Sequence, residues 1–280
     1  MSKVISEKML LDFRHSLIMD EKSPATVKQY MRHAQSFTAF LADRELEKEH
    51  VIEYKKYLTG IYSPASVNAI LAAVNRFLKF QNRHDCCVKA IKIQQQSFRS
   101  REKELTKQEY FRLLEAAKQR GNRRLYLLMQ TICSTGIRVS ELKFINVDAV
   151  RRGRAQVTLK GKVRQILIPR SLQQELSCYI KEMGIEKGEV FISRSGKSLD
   201  RSNILHEMKA ISVYAGVKPK KVFPHNLRHL FGYQYYKAEK NLSHLADILG
   251  HSNVNTTRIY ASSSGFEQQR QLDRLGLVMK

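Results

Sequence analysis

Along the first ninety positions, apolar residues recur at helical spacing in stretches separated by serine–proline pairs. In Ser23-Pro24-Ala25-Thr26 the serine caps and the proline occupies the first helical position; Val27, Tyr30, Met31, Ala34, Phe37, Phe40 and Leu41 then fall on one face. The signal repeats at Ser63-Pro64-Ala65-Ser66, followed by Val67, Ile70, Leu71, Val74, Phe77 and Leu78. Further helices are predicted over Ser6–Ile18 and Lys48–Leu58, giving a four-helix bundle. Gln94–Glu104 is polar, basic and almost without apolar residues, and reads as a linker. Beyond it, Thr106 with Glu109 forms a capping box for a helix to about Arg120, and a second helix covers Asn122 to Thr135. A third is predicted over Arg138–Ile145.

The period then switches. In AQVTLKGKVRQILIP, Val157 and Leu159 alternate before a Lys-Gly-Lys turn, and Ile166 and Ile168 alternate after it, as in a hairpin. Helical spacing returns over Ser171–Met183, over Ser202–Tyr214 and from His225 onward. The predicted fold class is mainly α with a small antiparallel β-sheet. Its domains are residues 1–93, a linker 94–104, and residues 105–280 with a tail helix over 262–280.

Of the 280 residues, 42% are hydrophobic and 27% charged, ordinary values for a folded chain rather than a disordered one. No apolar run approaches the ~20 residues that span a bilayer. The first residues lack the apolar core of a secretory signal, so a cytoplasmic location is expected. Cys86, Cys87, Cys133 and Cys178 fit neither a disulfide framework nor the paired spacing of a zinc site. Charge changes the picture most: 49 Lys+Arg against 26 Asp+Glu leave +23. Residues 1–98 hold 15 basic and 10 acidic side chains, against 34 and 16 in the remainder. Such an excess favours a polyanion, and nucleic acid fits better than a membrane because no polybasic block or basic amphipathic helix is present.

Four short segments carry candidate chemistry. Arg138 follows Gly136 at a helix start, with Glu141 three residues on; it reads either as a surface ion pair or as a phosphate clamp. Lys160 and Lys162 lie at the hairpin tip, either as solvated edge residues or as a proton donor reaching into a cleft. His225, Arg228 and His229 share one helix face, so two of them can address one phosphate. A metal held by His225 and His229 is the weaker reading, since no glutamate stands between them and Arg228 repels a cation. Finally, Leu249-Gly250-His251 is followed nine residues later by Tyr260, a position more often taken by a packing residue than by a nucleophile.

Taken in order, arginine with RxSEL, a β-turn lysine, HNLRH, LGH and then tyrosine resemble the signature of the tyrosine recombinase (phage integrase) family. The resemblance covers essentially the whole chain and is closest to the short, two-domain Xer-like or transposon-resolvase type. It implies a helical core-binding domain and a catalytic domain that clamp double-stranded DNA between them. It also implies site-specific cleavage and rejoining through a 3′-phosphotyrosine, for integration, excision or resolution. Tyr260 would be the nucleophile and Arg138 and Arg228 the phosphate clamp. His225 and His251 would assist, Lys160 would be the general acid with Lys162 as the fallback, and Glu141 would support Arg138. Lys28, Arg32, Arg76, Lys79, Lys162 and Arg164 are expected DNA contacts. No cofactor or metal is expected, because cationic side chains around one phosphate supply the electrostatics that other nucleases draw from metal ions. The expected assembly is a homotetramer on paired sites, with the tail exchanged between subunits. A type IB topoisomerase-like enzyme and an inactive DNA-binding relative are the alternatives.

Overall fold

The computed structural model describes residues 5–42, 44–93, 104–159, 162–193, 195–251, 253–261 and 273–274, with only the backbone of 159 and 162. The chain divides into two compact units, Met1–Gln95 and Gln96–Lys280, a boundary inside the polar segment 94–104. No helix among the described residues is long and apolar enough to cross a membrane.

The first unit is helical: α1 (Glu7–Met19), α2 (Pro24–Leu41), α3 (Lys48–Ile61) and α4 (Pro64–Phe80). The two serine–proline starts form as their chemistry dictates, Ser23 accepting from the Thr26 N–H and Ser63 from the Ser66 N–H. The apolar stripes meet in two clusters. Phe13 packs edge-on against Phe77 with ring centroids 5.1 Å apart, and Phe37, Tyr54 and Leu71 centre the other.

The second unit contains α5 (Lys107–Gln119), α6 (Arg123–Thr135), α7 (Val147–Arg152), β1 (Arg154–Leu159), β2 (Lys162–Leu167) and α8 (Arg170–Glu182). They are followed by α9 (Arg201–Tyr214), α10 (Pro224–Glu239), α11 (Leu242–Leu249) and α12 (Arg258–Ala261). The predicted capping box is present, Thr106 and Glu109 each accepting from the other's backbone N–H. Its core gathers Leu113, Leu125, Leu128, Met129 and Ile132 with Val157 and Ile166 of the hairpin. The fold is thus mainly α with one two-stranded antiparallel sheet. All four cysteines carry free thiols.

Two local readings are corrected. The stretch predicted as a third helix is a 3-10 turn over Val139–Phe144, followed by the separate short helix α7 that the periodicity misses. Lys162, read as part of the Lys-Gly-Lys turn, belongs to the ladder: it pairs with Leu159 and is a strand residue.

Candidate active site

Helix α6 ends on Gly136, whose φ of 64° is left-handed. A side chain there is excluded twice over, because a Cβ would also lie 2.6 Å from Phe231 and 2.9 Å from Leu249. The turn delivers Arg138. Its backbone N–H donates to Glu141 Oε2 at 2.9 Å and its Nη1 to Oε1 at 2.8 Å. Glu141 is only 1% exposed. Burial pushes its carboxyl up, but the Arg138 N–H and the charge of Arg164 outweigh this and hold it below the usual range. The remaining fork of Arg138 donates through Nη2 to the Gly250 carbonyl at 3.0 Å.

Helix α10 supplies the second arginine. Arg228, 3% exposed, donates through Nη1 to the Gly136 carbonyl. Its Nη2 donates to the Leu249 carbonyl at 2.7 Å and to His251 Nε2 at 3.1 Å. Burial, and after it the charge of Arg138, pull its pKa down to about 10, so it stays cationic at neutral pH. His225, in the first turn of α10, is exposed beside it and packs edge-on against His229 with ring centroids 4.4 Å apart. Arg138, Arg201, Lys209, Lys220, His225 and Arg228 all face one cleft of about 430 Å³ with no carboxylate in its wall among the described residues.

His251 follows the left-handed Gly250 at the end of α11. An arginine can only donate, so Nε2 is the acceptor and Nδ1 carries the proton, donated to Thr257 Oγ1 at 2.9 Å. Burial first, then Arg228 and Arg138, lower its pKa to about 4, so the ring is neutral near pH 7. The fully buried Thr257 also accepts from the Tyr260 backbone N–H at 2.9 Å. Tyr260 itself is 2% exposed and packs with Leu245 and Leu249. Its ring lies against His229, centroids 5.3 Å apart, and close upon α10 at Gly232, where a Cβ would come within 2.6 Å of it. Its oxygen is in electrostatic reach of Arg228. The tyrosine is thus seated on its own unit.

Arg138, Glu141, His225, Arg228, His251 and Tyr260, scattered over more than 120 positions of sequence, converge. Lys160 lies outside the described residues, as does the side chain of Lys162. Arg164, grouped with the hairpin-tip cations by the sequence, turns inward onto Glu141 and onto the Ile248 carbonyl at 2.5 Å. In the first unit Lys28, Arg32 and Lys79 are exposed on helix faces, whereas Arg76 is engaged by Asp20. The tail over 262–280 lies outside the described residues apart from Asp273 and Arg274. Sequence reasoning passed over Thr257, Gly232 and the cleft cations Arg201, Lys209 and Lys220. The spacing of Arg201, Leu205 and Lys209, four residues apart on α9, is the signal that marks one wall of the cleft.

Residues 103–265 match the family model described as the phage integrase family, and the chain belongs to that family. It is a tyrosine recombinase, an enzyme of the class that breaks and rejoins DNA strands. Over its length it is similar to the tyrosine recombinase XerA of Thermococcus kodakarensis, 26% identical across 98% of this chain and 97% of that one. In fold it is similar to a lambda integrase dimer bound to a COC′ core site, with a TM-score of 0.76 and 19% identity over 93% of this chain and 96% of that one. It is also similar to a lambda integrase tetramer bound to a Holliday junction, with a TM-score of 0.75 and 18% identity over 92% and 78%.

Proposed function

We propose that this recombinase is site-specific and that Tyr260 is its nucleophile. The phenolic oxygen attacks a scissile phosphate of double-stranded DNA, the bond to the 5′ oxygen breaks, and a 3′-phosphotyrosine is left. Lys160 gives the departing oxygen its proton. Attack by a 5′-hydroxyl of another strand reverses the step, so the phosphodiester energy is kept and no ATP is consumed. A phenol of pKa ~10 is only about a thousandth ionised at neutral pH, which makes the surrounding positive charge decisive. Arg138 and Arg228 each keep N–H groups beyond those bonded to carbonyls, and a guanidinium fork matches two nonbridging oxygens. His225 hydrogen-bonds the phosphate from the exposed rim of the cleft, and neutral His251 steadies Arg228 beside it. Glu141 aligns Arg138.

One observation carries this reading. A buried arginine, a half-exposed arginine and a histidine address one cleft that holds no carboxylate among the described residues, and the tyrosine of the signature is seated in electrostatic reach of the buried arginine. The lambda integrase structures that share the fold are bound to DNA, one of them as a tetramer on a Holliday junction. On that basis we read the working form as a homotetramer on paired sites in the cytoplasm, with the first unit as a DNA clamp and the tail exchanged between subunits. A nicked suicide duplex tests the chemistry: the native protein is expected to form an adduct that survives denaturant, and Tyr260→Phe none. An adduct of undiminished yield in Tyr260→Phe removes the assignment.

A further inference from the structure

Helix α11 ends with carbonyl groups that the helix itself leaves without donors. Those of Ala246 and Asp247 accept from the backbone N–H groups of His251 and Gly250. The next three in sequence are each met by a different arginine. Ile248 accepts from Arg164 at 2.5 Å, Leu249 from Arg228 at 2.7 Å and Gly250 from Arg138 at 3.0 Å. Cations at a helix carboxyl end also complement its dipole. Two of these arginines are the phosphate clamp argued above. Arg164 is the third, and it reaches the cluster from β2.

Its surroundings fix what it can do. The Arg164 side chain is 14% exposed, and its Nη2 donates to Glu141 Oε2. Its stem crosses Gly250 so closely that a Cβ there would lie 2.5 Å from Cδ. The same Glu141 carboxylate holds Arg138 through its other oxygen. Arg164 is therefore a strut between the lysine-bearing hairpin, the carboxylate that aims Arg138, and the turn that carries His251.

We propose that Arg164 is a positioning residue for strand cleavage, acting through Glu141 and the Ile248 carbonyl and making no contact with DNA. The inference rests on the functional reading above. A single lysine ammonium is no substitute, because the role needs one planar group that donates in two directions. A DNA-phosphate contact, by contrast, is largely preserved by lysine.

The experiment compares native protein, Arg164→Met and Arg164→Lys on the nicked suicide duplex. Single-turnover cleavage at saturating protein is measured alongside DNA affinity and its salt dependence. Arg164→Met is expected to cleave roughly 10- to 100-fold more slowly, as small misplacements of reacting groups do, with affinity and salt slope unchanged. Arg164→Lys should share the defect. A duplex carrying a neutral methylphosphonate at the scissile position needs the clamp less, so on it both Arg164→Met and Arg138→Ala should fall closer to native. Weaker binding with the salt slope reduced by about one, repaired by Arg164→Lys, would overturn the proposal in favour of a phosphate contact. Cleavage at the native rate overturns it as well. Should Arg164→Met not fold, Arg164→Lys carries the same test: slowed cleavage at unchanged affinity supports the strut, and native cleavage refutes it. Absence of any adduct from native protein is a different failure, that of the functional reading itself.

Discussion

Gly232→Ala adds one methyl group where Tyr260, the proposed nucleophile, rests. The new Cβ would stand 2.6, 2.7 and 2.9 Å from Cε1, Cζ and Cδ1 of Tyr260. Carbon atoms in ordinary contact keep ~3.5–4.0 Å, so the ring must retreat by about 1 Å. Leu245 and Leu249 share its buried cluster and limit the space for that retreat. For stability the change is nearly balanced. Alanine is favoured over glycine inside a helix by ~0.8–1.0 kcal/mol. Overpacking costs ~1–3 kcal/mol. The net loss is therefore roughly 0–2 kcal/mol, a small shift in the melting temperature. For the reaction there is no such balance, since a displacement of ~1 Å costs about 100-fold in rate. The expected result is a folded protein that binds its DNA normally and forms the covalent adduct about two orders of magnitude more slowly in a single-turnover gel assay. Native kinetics in Gly232→Ala would mean that the ring leaves this seat before it reacts, and the argument from its position would fail.

Three further outcomes follow from the same cluster. His251 titrates near 4 in the folded chain against 6.5 unfolded, so between those values the unfolded state binds more protons and stability falls as pH falls. Chemical denaturation of native protein should lose up to about 3 kcal/mol more over that window than His251→Gln, and equal losses would remove the assignment of a neutral buried ring. Sulfate should stabilise the native fold by about 1.4 kcal/mol at ten times its dissociation constant, and less in Arg138→Ala, as read by thermal melting; an identical gain in both would detach Arg138 from the anion site. Lys160→Ala should abolish cleavage of the suicide duplex while Lys162→Ala retains it, and the reverse pattern would move the general acid to Lys162.

The helices of the first unit were legible because their starts are written in side chains. Ser23 and Ser63 cap where their proline neighbours predict, and the apolar stripes that follow are the ones buried. Helix α7 was not legible, since six residues are too few to display a period, although Asn146 and Gly153 mark its two ends. Arg138, Glu141, Arg228 and His251, singled out by type and order, do lie together. The means by which they meet could not be read from the sequence. Gly136, Ile248, Leu249 and Gly250 contribute main-chain carbonyls, and a carbonyl leaves no trace in residue identity. The partners of Arg164 were hidden for a related reason: a hairpin cation looks solvated until the carboxylate across the fold, Glu141, is known. Arg76 likewise meets Asp20 only through the packing of α1 against its neighbours.

The carbonyls of Ile248 and Leu249, in the last turn of α11, and of the left-handed Gly250 that caps it form a short thread, each step matched to an arginine from a separate part of the unit. Inserting or deleting one residue between 242 and 248 would turn the whole thread at once, unseating every guanidinium together. Length in this short segment is therefore as much a determinant of the arginine cluster as the identity of the arginines themselves.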